Sequence, residues 1–522
     1  MYHFYTIALI AFVINGAATL SSYGQKAINP IIHADVPDIS MIRVDDTYYM
    51  SSTTMHMNPG VPIMKSKDLV NWEIVSYAST SLGSTDDLKL ENGKDMYGKG
   101  SWASSLRYHE GIFYVSTFSG NTGKTYIYST ENIEEGPWKT IEFKPSMHDH
   151  TLFFEEGKAY LIWGAGTIKI VELKSDLSGI IPDSEQVLIE NANDPIQEEI
   201  MLPAEGSQMF KVKDKYYLFN IAWPRGGMRT VIIHRADSLK GPYKGKIALQ
   251  DKGVAQGGLI DTPEGDWYAF LFRDNGAVGR IPYLVPITWK AGWPEIGVEG
   301  VVPMELDNLP INKGLVPGIV ASDNFKRKKG ERALPLVWQW NHNPVDKLWS
   351  INGKKGYLSM KTDRIDKDLL AARNTLTQRT IGPESMGTIK IDVSDMKEGD
   401  LAGLTLLQKD YGFIGVQVQK GQKKLVMKKA TEEKEKEIAS IEFSGESVLL
   451  RAVCDFKDAK DEATFFYSTN GKQWKQLGDV LQMKYTLPHF MGYRFGLFYF
   501  ATEEPGGQVK FDHYEIDDQI TY

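Results

Sequence analysis

Cysteine is almost absent: Cys454 is the one cysteine in 522 residues. No intrachain disulfide can form, and neither a Cys-rich metal site nor a CxxC redox pair can carry the chemistry. A chain of this length buries enough core to do without such staples. A basic excess is missing too. Lys and Arg number 59 against 67 Asp and Glu, a net charge of −8, which is the wrong sign for a nucleic-acid binder. Beyond the N-terminus no apolar run reaches 18 residues, so no membrane-spanning helix is expected. Helical periodicity is nearly absent. A GxSxG elbow, an HExxH helix, a Walker loop and a Rossmann fingerprint are all lacking.

The overall make-up, 42% hydrophobic and 24% charged, is that of an ordinary globular chain and excludes a disordered, collagen-like or coiled-coil protein. By length alone it holds roughly three domains, fewer if one is a large β unit. One apolar stretch stands apart near the start. YTIALIAFVINGAATL (Tyr5 to Leu20) is followed by the small residues Ser22 and Gly24 before Gln25. This reads as an export signal over residues 1–24, although its first residues carry no Lys or Arg. No cysteine follows it to take a lipid. The expectation is an exported protein, periplasmic or extracellular.

Aromatic residues are plentiful, with 12 Trp and 25 Tyr, and their flat apolar faces suit sugar rings as well as cores. Many fall into a repeat. DDTYYMSST (from Asp45), HEGIFYVSTF (from His109), EEGKAYLIWG (from Glu155), KDKYYLFNIA (from Lys213) and PEGDWYAFLF (from Pro263) each put a charged or glycine turn before an aromatic strand. Aligned on Tyr49, Tyr114, Tyr160, Tyr217 and Tyr268, they are 65, 46, 57 and 51 residues apart. Each period has room for four short strands, which predicts a five-bladed β-propeller over residues 28–315.

Eleven or twelve residues before each aligned tyrosine stand Asp38, Trp102, Asp149, Glu205 and Gln256. These positions lie in or beside the first strand of each blade, which in a propeller lines the central channel, so all five point at one axis. Three of them are carboxylic acids. A buried carboxylate without a partner is costly, whereas carboxylates converging on a channel mouth are what acid/base chemistry needs. His148 and His150 flank Asp149. If that segment is a strand, the two histidines share one face and Asp149 takes the other, and a His-x-His metal pair would then exclude Asp149 from the site.

At these residues the chain resembles glycoside hydrolase family 43, five-bladed propeller enzymes that trim arabinose and xylose from plant polysaccharides. The matching stretches are NPIIHADVPDISMIRVDDTYYM, MNPGVPIMKSKDLVNWE, GSWASSLRYHEGIFYV, HDHTLFFEEGKAYLIWG, PAEGSQMFKVKDKYYL and GAVGRIPYLVPITWKAGWP, in the family's order across all five blades. The resemblance implies that Asp38 is the general base, Glu205 the general acid, and Asp149 the group that orients the acid and adjusts its pKa. It implies a pocket aromatic at Trp102, an arginine near the sugar at Arg280, and a substrate-facing Gln256. Two positions depart from the family pattern: Ile39 where proline is common, and Gln256 where many members have a histidine. Gln256 can hydrogen-bond but offers no imidazole, so no metal is carried over. No cofactor is required, and a structural calcium is not part of the expectation. The implied partners are arabinose- or xylose-containing oligo- and polysaccharides, cleaved with inversion and from chain ends. A nearby ionised Asp149 would raise the pKa of Glu205 by like-charge repulsion. The reading from another class is a non-catalytic carbohydrate-binding propeller, whose mark would be the loss of one carboxylate.

After residue 319 the pattern changes to short alternating strands such as GTIKIDVS, GFIGVQVQ, SVLLRAVCDF and YRFGLFYF. Their spacing predicts an all-β second domain over 320–522, a β-sandwich. It resembles the concanavalin-like sandwich appended to xylosidase-type members of the family. Such a domain either packs on the propeller and helps close its pocket, or stands free as a sugar-binding module. The Lys-rich run from Lys420 to Lys436 reads as a solvated hairpin.

Overall fold

The computed structural model describes residues 26–313, 318–432 and 434–520. The expected signal segment, 1–24, lies outside them. The fold is all-β. Five four-stranded antiparallel sheets follow one another in chain order from Ser40 to Ile296, and they are the five blades.

Each aligned tyrosine sits on the second strand of its blade, because the charged or glycine pair before it makes the first hairpin. In the first four blades that hairpin has two loop residues, as Val44 pairs with Thr47, His109 with Ile112, Glu155 with Lys158 and Val212 with Lys215. Such tight loops require left-handed backbone. Accordingly Asp45, Glu110, Gly111, Glu156, Gly157, Lys213 and Asp214 all have positive φ. The ring is tied shut where Ala27–Ile28 pairs with Glu305–Leu306.

Two eight-stranded sheets form the C-terminal sandwich. It does not stand free. Met57–Asn58, from the first blade, adds a short edge strand to one of its sheets by pairing with Gln339–Asn341. One continuous buried apolar cluster holds Val278 and Ile281 of the fifth blade together with Ile381 and Tyr493 of the sandwich. At the same seam Asp35 accepts from the backbone N–H of Gly492 through Oδ2 (3.1 Å) and of Arg280 through Oδ1 (2.7 Å), while its carbonyl accepts from Arg379 Nε (2.8 Å). The approach is close enough to need glycine: a Cβ on Gly492 would lie 2.2 Å from the carbonyl oxygen of Val278. The Lys-rich run forms the expected hairpin, Gln422–Thr431 against Lys434–Glu442, at the edge of one sheet. Among the described residues no helix is long and apolar enough to cross a membrane.

Candidate active site

All five channel positions fall beside or within a blade's first strand. Asp38 precedes Ser40–Val44, Trp102 precedes Ser105–His109 and Asp149 precedes Thr151–Glu155, while Glu205 and Gln256 lie within Ile200–Val212 and Ala255–Asp261. Three of them share an unusual backbone: φ is +51° at Asp38, +48° at Asp149 and +55° at Gln256. A left-handed residue just before or within the strand breaks its side-chain alternation and swings these groups toward the axis. That conformation costs an L-residue roughly 1–2 kcal/mol, with Asp among the residues that tolerate it best. Repetition of the same strain on three blades points to function. Asp38, Asp149, Gly206 and Gln256 line one small cavity on the axis together with His150 and Gln208.

Asp38 is buried, and its Oδ1 accepts from Arg280 Nη1 at 2.8 Å and from Gln256 Nε2 at 3.3 Å. Burial pushes its pKa up, and the Arg280 cation, with Arg229 behind it, pulls it back. Arg280 is thus a direct partner of the expected base, and Gln256 touches that base as well. The Arg280 guanidinium lies over the ring of Phe490, 4.6 Å from its centroid. Phe490 in turn stacks on Trp102, with ring centroids 5.0 Å apart and planes at 26°. Phe490 belongs to the sandwich, so the second domain supplies part of the pocket wall.

On the opposite side His148 Nε2 lies 3.1 Å from Glu205 Oε2 and 3.7 Å from Asp149 Oδ2. This corrects the alternation argument. His148 and Asp149 do not face opposite ways, because Met147–His150 is a turn and the strand begins only at Thr151. His150 goes elsewhere: its ring is buried and Nδ1–H donates to the carbonyl of Met147 at 2.8 Å. The hydrogen bond to Glu205 holds His148 up at about 9 against the downward pull of burial, with the Asp149 charge helping. Burial pushes Asp149 up to about 7; His148 draws it down, while Glu205 and Asp38 push it further up. Asp149 therefore titrates near neutrality, where the sequence reading had it simply ionised.

Among the described residues, His148, Asp149 and Glu205 are the one group of three whose donor atoms all lie within 4.8 Å. Their mutual contacts account for that. The hydrogen bond from His148 to Glu205 is what draws the three together, and any ion would have to displace the proton that this bond favours. Phe118, whose ring centroid is 5.3 Å from that of His148 and 6.2 Å from that of Trp102, closes the circle between the two sides.

The spacing of the repeat puts Asp38, Trp102, Asp149, Glu205 and Gln256 on one axis and the family resemblance adds Arg280; the structure gathers all six there. Sequence reasoning missed Phe490, which is 388 residues from Trp102 and carries no local signal. Asp35 was missed as well, although it stands three residues before Asp38 in HADVPD.

Comparison with known proteins agrees with this geometry. Residues 27–294 match the model for glycosyl hydrolases family 43, and residues 322–517 match that for the beta-xylosidase C-terminal concanavalin A-like domain. A beta-xylosidase of Formosa agariphila is 29% identical, over 96% of this chain and 92% of its own. A non-reducing end alpha-L-arabinofuranosidase of Bacteroides ovatus is 26% identical, over 79% of this chain and 80% of its own. Among solved structures, a bifunctional GH43-CE protein of Bacteroides eggerthii superposes with a TM-score of 0.94 at 58% identity. That match covers 95% of this chain but 64% of the other, so the chain spans just under two thirds of that protein. With a family model matching just over half of its length, this chain belongs to glycosyl hydrolase family 43.

Proposed function

We propose that the protein is an exo-acting, inverting glycosidase that removes terminal pentoses, α-L-arabinofuranosyl or β-D-xylosyl, from plant cell-wall oligo- or polysaccharides. The observation that carries this reading is the gathering of Asp38, Asp149 and Glu205 from three blades, with Arg280 on one side and His148 on the other. Inverting hydrolysis needs one carboxylate to take a proton from water and one carboxylic acid to protonate the leaving oxygen. Asp38 is suited to the first task because, although burial raises its pKa, the Arg280 cation bonded to it offsets part of that rise and gives the carboxylate a charged partner. Glu205 takes the second, with Asp149 beside it. Both steps use side chains alone and require no cofactor.

A relative named as a non-reducing end alpha-L-arabinofuranosidase supports exo action. Relatives named as a beta-xylosidase and an alpha-L-arabinofuranosidase support the pentose. A non-catalytic sugar-binding propeller is disfavoured because all three carboxylates are present and in place. The direct test is a panel of aryl pentosides and arabinose- or xylose-bearing oligosaccharides offered to the purified protein. Release of single pentose units is expected. Failure to turn over any of them would overturn the reading.

A further inference from the structure

Protonating a leaving oxygen at every turnover requires a path by which Glu205 recovers its proton. Glu205 is a poor candidate to recover it unaided, since 19% of its side chain is exposed and 9% of that of its neighbour Asp149. His148, bonded to Glu205 through Nε2, has 46% of its side chain in solvent. One imidazole therefore touches the acid at one edge and water at the other. The groups facing it are the carboxylates of Glu205, Asp149 and Asp38, the neutral His150 of its own segment and the edge of Phe118. Three acidic neighbours favour the imidazolium, consistent with its being held up at about 9.

We propose that His148 is the proton relay of this site, handing its Nε2 proton to Glu205 before Glu205 protonates the glycosidic oxygen, and regaining one from solvent afterwards. The proposal rests on Glu205 being the general acid. In the free enzyme the pair is an imidazolium and a carboxylate sharing one proton. A sugar filling the pocket displaces water, and a drier site favours the neutral pair, imidazole and carboxylic acid. Glu205 then gives that proton to the leaving oxygen, which keeps the electron pair of the broken C1–O bond. Water forms the new bond to C1 and loses its proton to Asp38. Asp38 releases one proton to solvent and His148 takes one up, so charge and protons balance over the cycle. His148 is a positioning residue for the proton and does not act on the sugar itself.

The experiment compares wild type, His148→Gln, His148→Ala and Glu205→Gln on an unactivated pentose disaccharide and on a dinitrophenyl pentoside. General acid/base assistance is worth about 10²–10⁴-fold. His148→Gln is expected to lose roughly 10-fold or more on the disaccharide and no more than a few-fold on the activated glycoside. The basic limb of its kcat/KM profile should move to lower pH, because a lone carboxylic acid must now hold the proton. Added imidazole should restore part of the activity of His148→Ala on the disaccharide. Equal losses on both substrates with an unmoved basic limb would overturn the relay. If Glu205→Gln depends on the leaving group and His148→Gln does not, the relay falls and the acid stands. If Glu205→Gln shows no such dependence, both fall. NMR titration of His148 gives a readout independent of activity. Its pKa should drop toward the ordinary histidine value in Glu205→Gln, and an unchanged value would contradict the proposal.

Discussion

Asp38 and Arg280 form a buried ion pair, with 6% and 4% of their side chains exposed, so each depends on the other. Replacing Asp38 by Asn should abolish turnover on every substrate, since water then has no base, and it leaves the Arg280 charge unpaired. Breaking a pair of this kind costs about 3–5 kcal/mol, so a lower melting temperature should accompany the loss. Arg280→Met acts on the same carboxylate from the other side. The guanidinium pulls the Asp38 pKa down against burial, so without it that pKa rises. The acid limb of the kcat/KM profile should therefore move to higher pH, and an unmoved limb would show that Asp38 is not the base. Asp149→Asn should move the basic limb to lower pH. It removes a negative neighbour both from Glu205 and from His148, whose elevated pKa partly reflects the Asp149 charge.

At the scale of the element, the segment carrying Phe490 matters most. The ring stacks on Trp102 and lies beneath Arg280, and two residues later Gly492 is anchored to Asp35. Phe490→Ala should raise KM more than it lowers kcat. Loss of one aromatic contact is worth about 0.5–1.5 kcal/mol, a factor of roughly 2 to 10 in affinity. Asp35→Ala should do the same indirectly and also destabilise the fold. It leaves the buried N–H groups of Arg280 and Gly492 without an acceptor, at about 1–3 kcal/mol each, which thermal unfolding would show. How much of this was legible in sequence follows from the same elements. The hairpins were, because two-residue loops demand residues that accept positive φ and so repeat visibly. The channel positions were, because each stands 11 or 12 residues before its blade's tyrosine, wherever the strand itself begins. The relation of His148 to Asp149 was not, because period-two alternation fails in a turn. Neither was the wall made by Phe490, since contacts between domains leave no local periodicity.

On the scale of the whole molecule, the seam between propeller and sandwich contributes to the response to acid, alongside His33, His150 and His234, which burial lowers to about 4. His56 from the first blade meets His342 and His489 from the sandwich, with ring centroids 4.7 and 5.2 Å away, and Tyr97 packs among them. All three imidazoles are buried. Burial, not hydrogen bonding, is what keeps His56 neutral: Asn341 Oδ1 accepts from its Nε2, which by itself favours the charged ring, and also from His342 Nδ1, whereas His342 Nε2 accepts from the backbone N–H of Met96 and so needs a neutral ring. Burial lowers His56 to about 3 and holds His342 and His489 well below the usual histidine value, with Arg494 adding to the effect at His56 and His489. The unfolded chain takes up these protons near pH 6.5, and the folded one does so only far below that. Stability should accordingly be full above about pH 6.5 and fall as pH drops from there toward 3. Melting temperature against pH measures this, and His489→Gln should flatten the slope. An equally steep slope in that variant would show that the seam is not responsible.

The stereochemistry of the first product tests the central claim most directly. If Asp38 activates water for direct attack while Glu205 protonates the leaving group, proton NMR in the first moments of turnover will show the released pentose with inverted anomeric configuration, before mutarotation. A retained anomer would require a covalent glycosyl intermediate and would contradict the account.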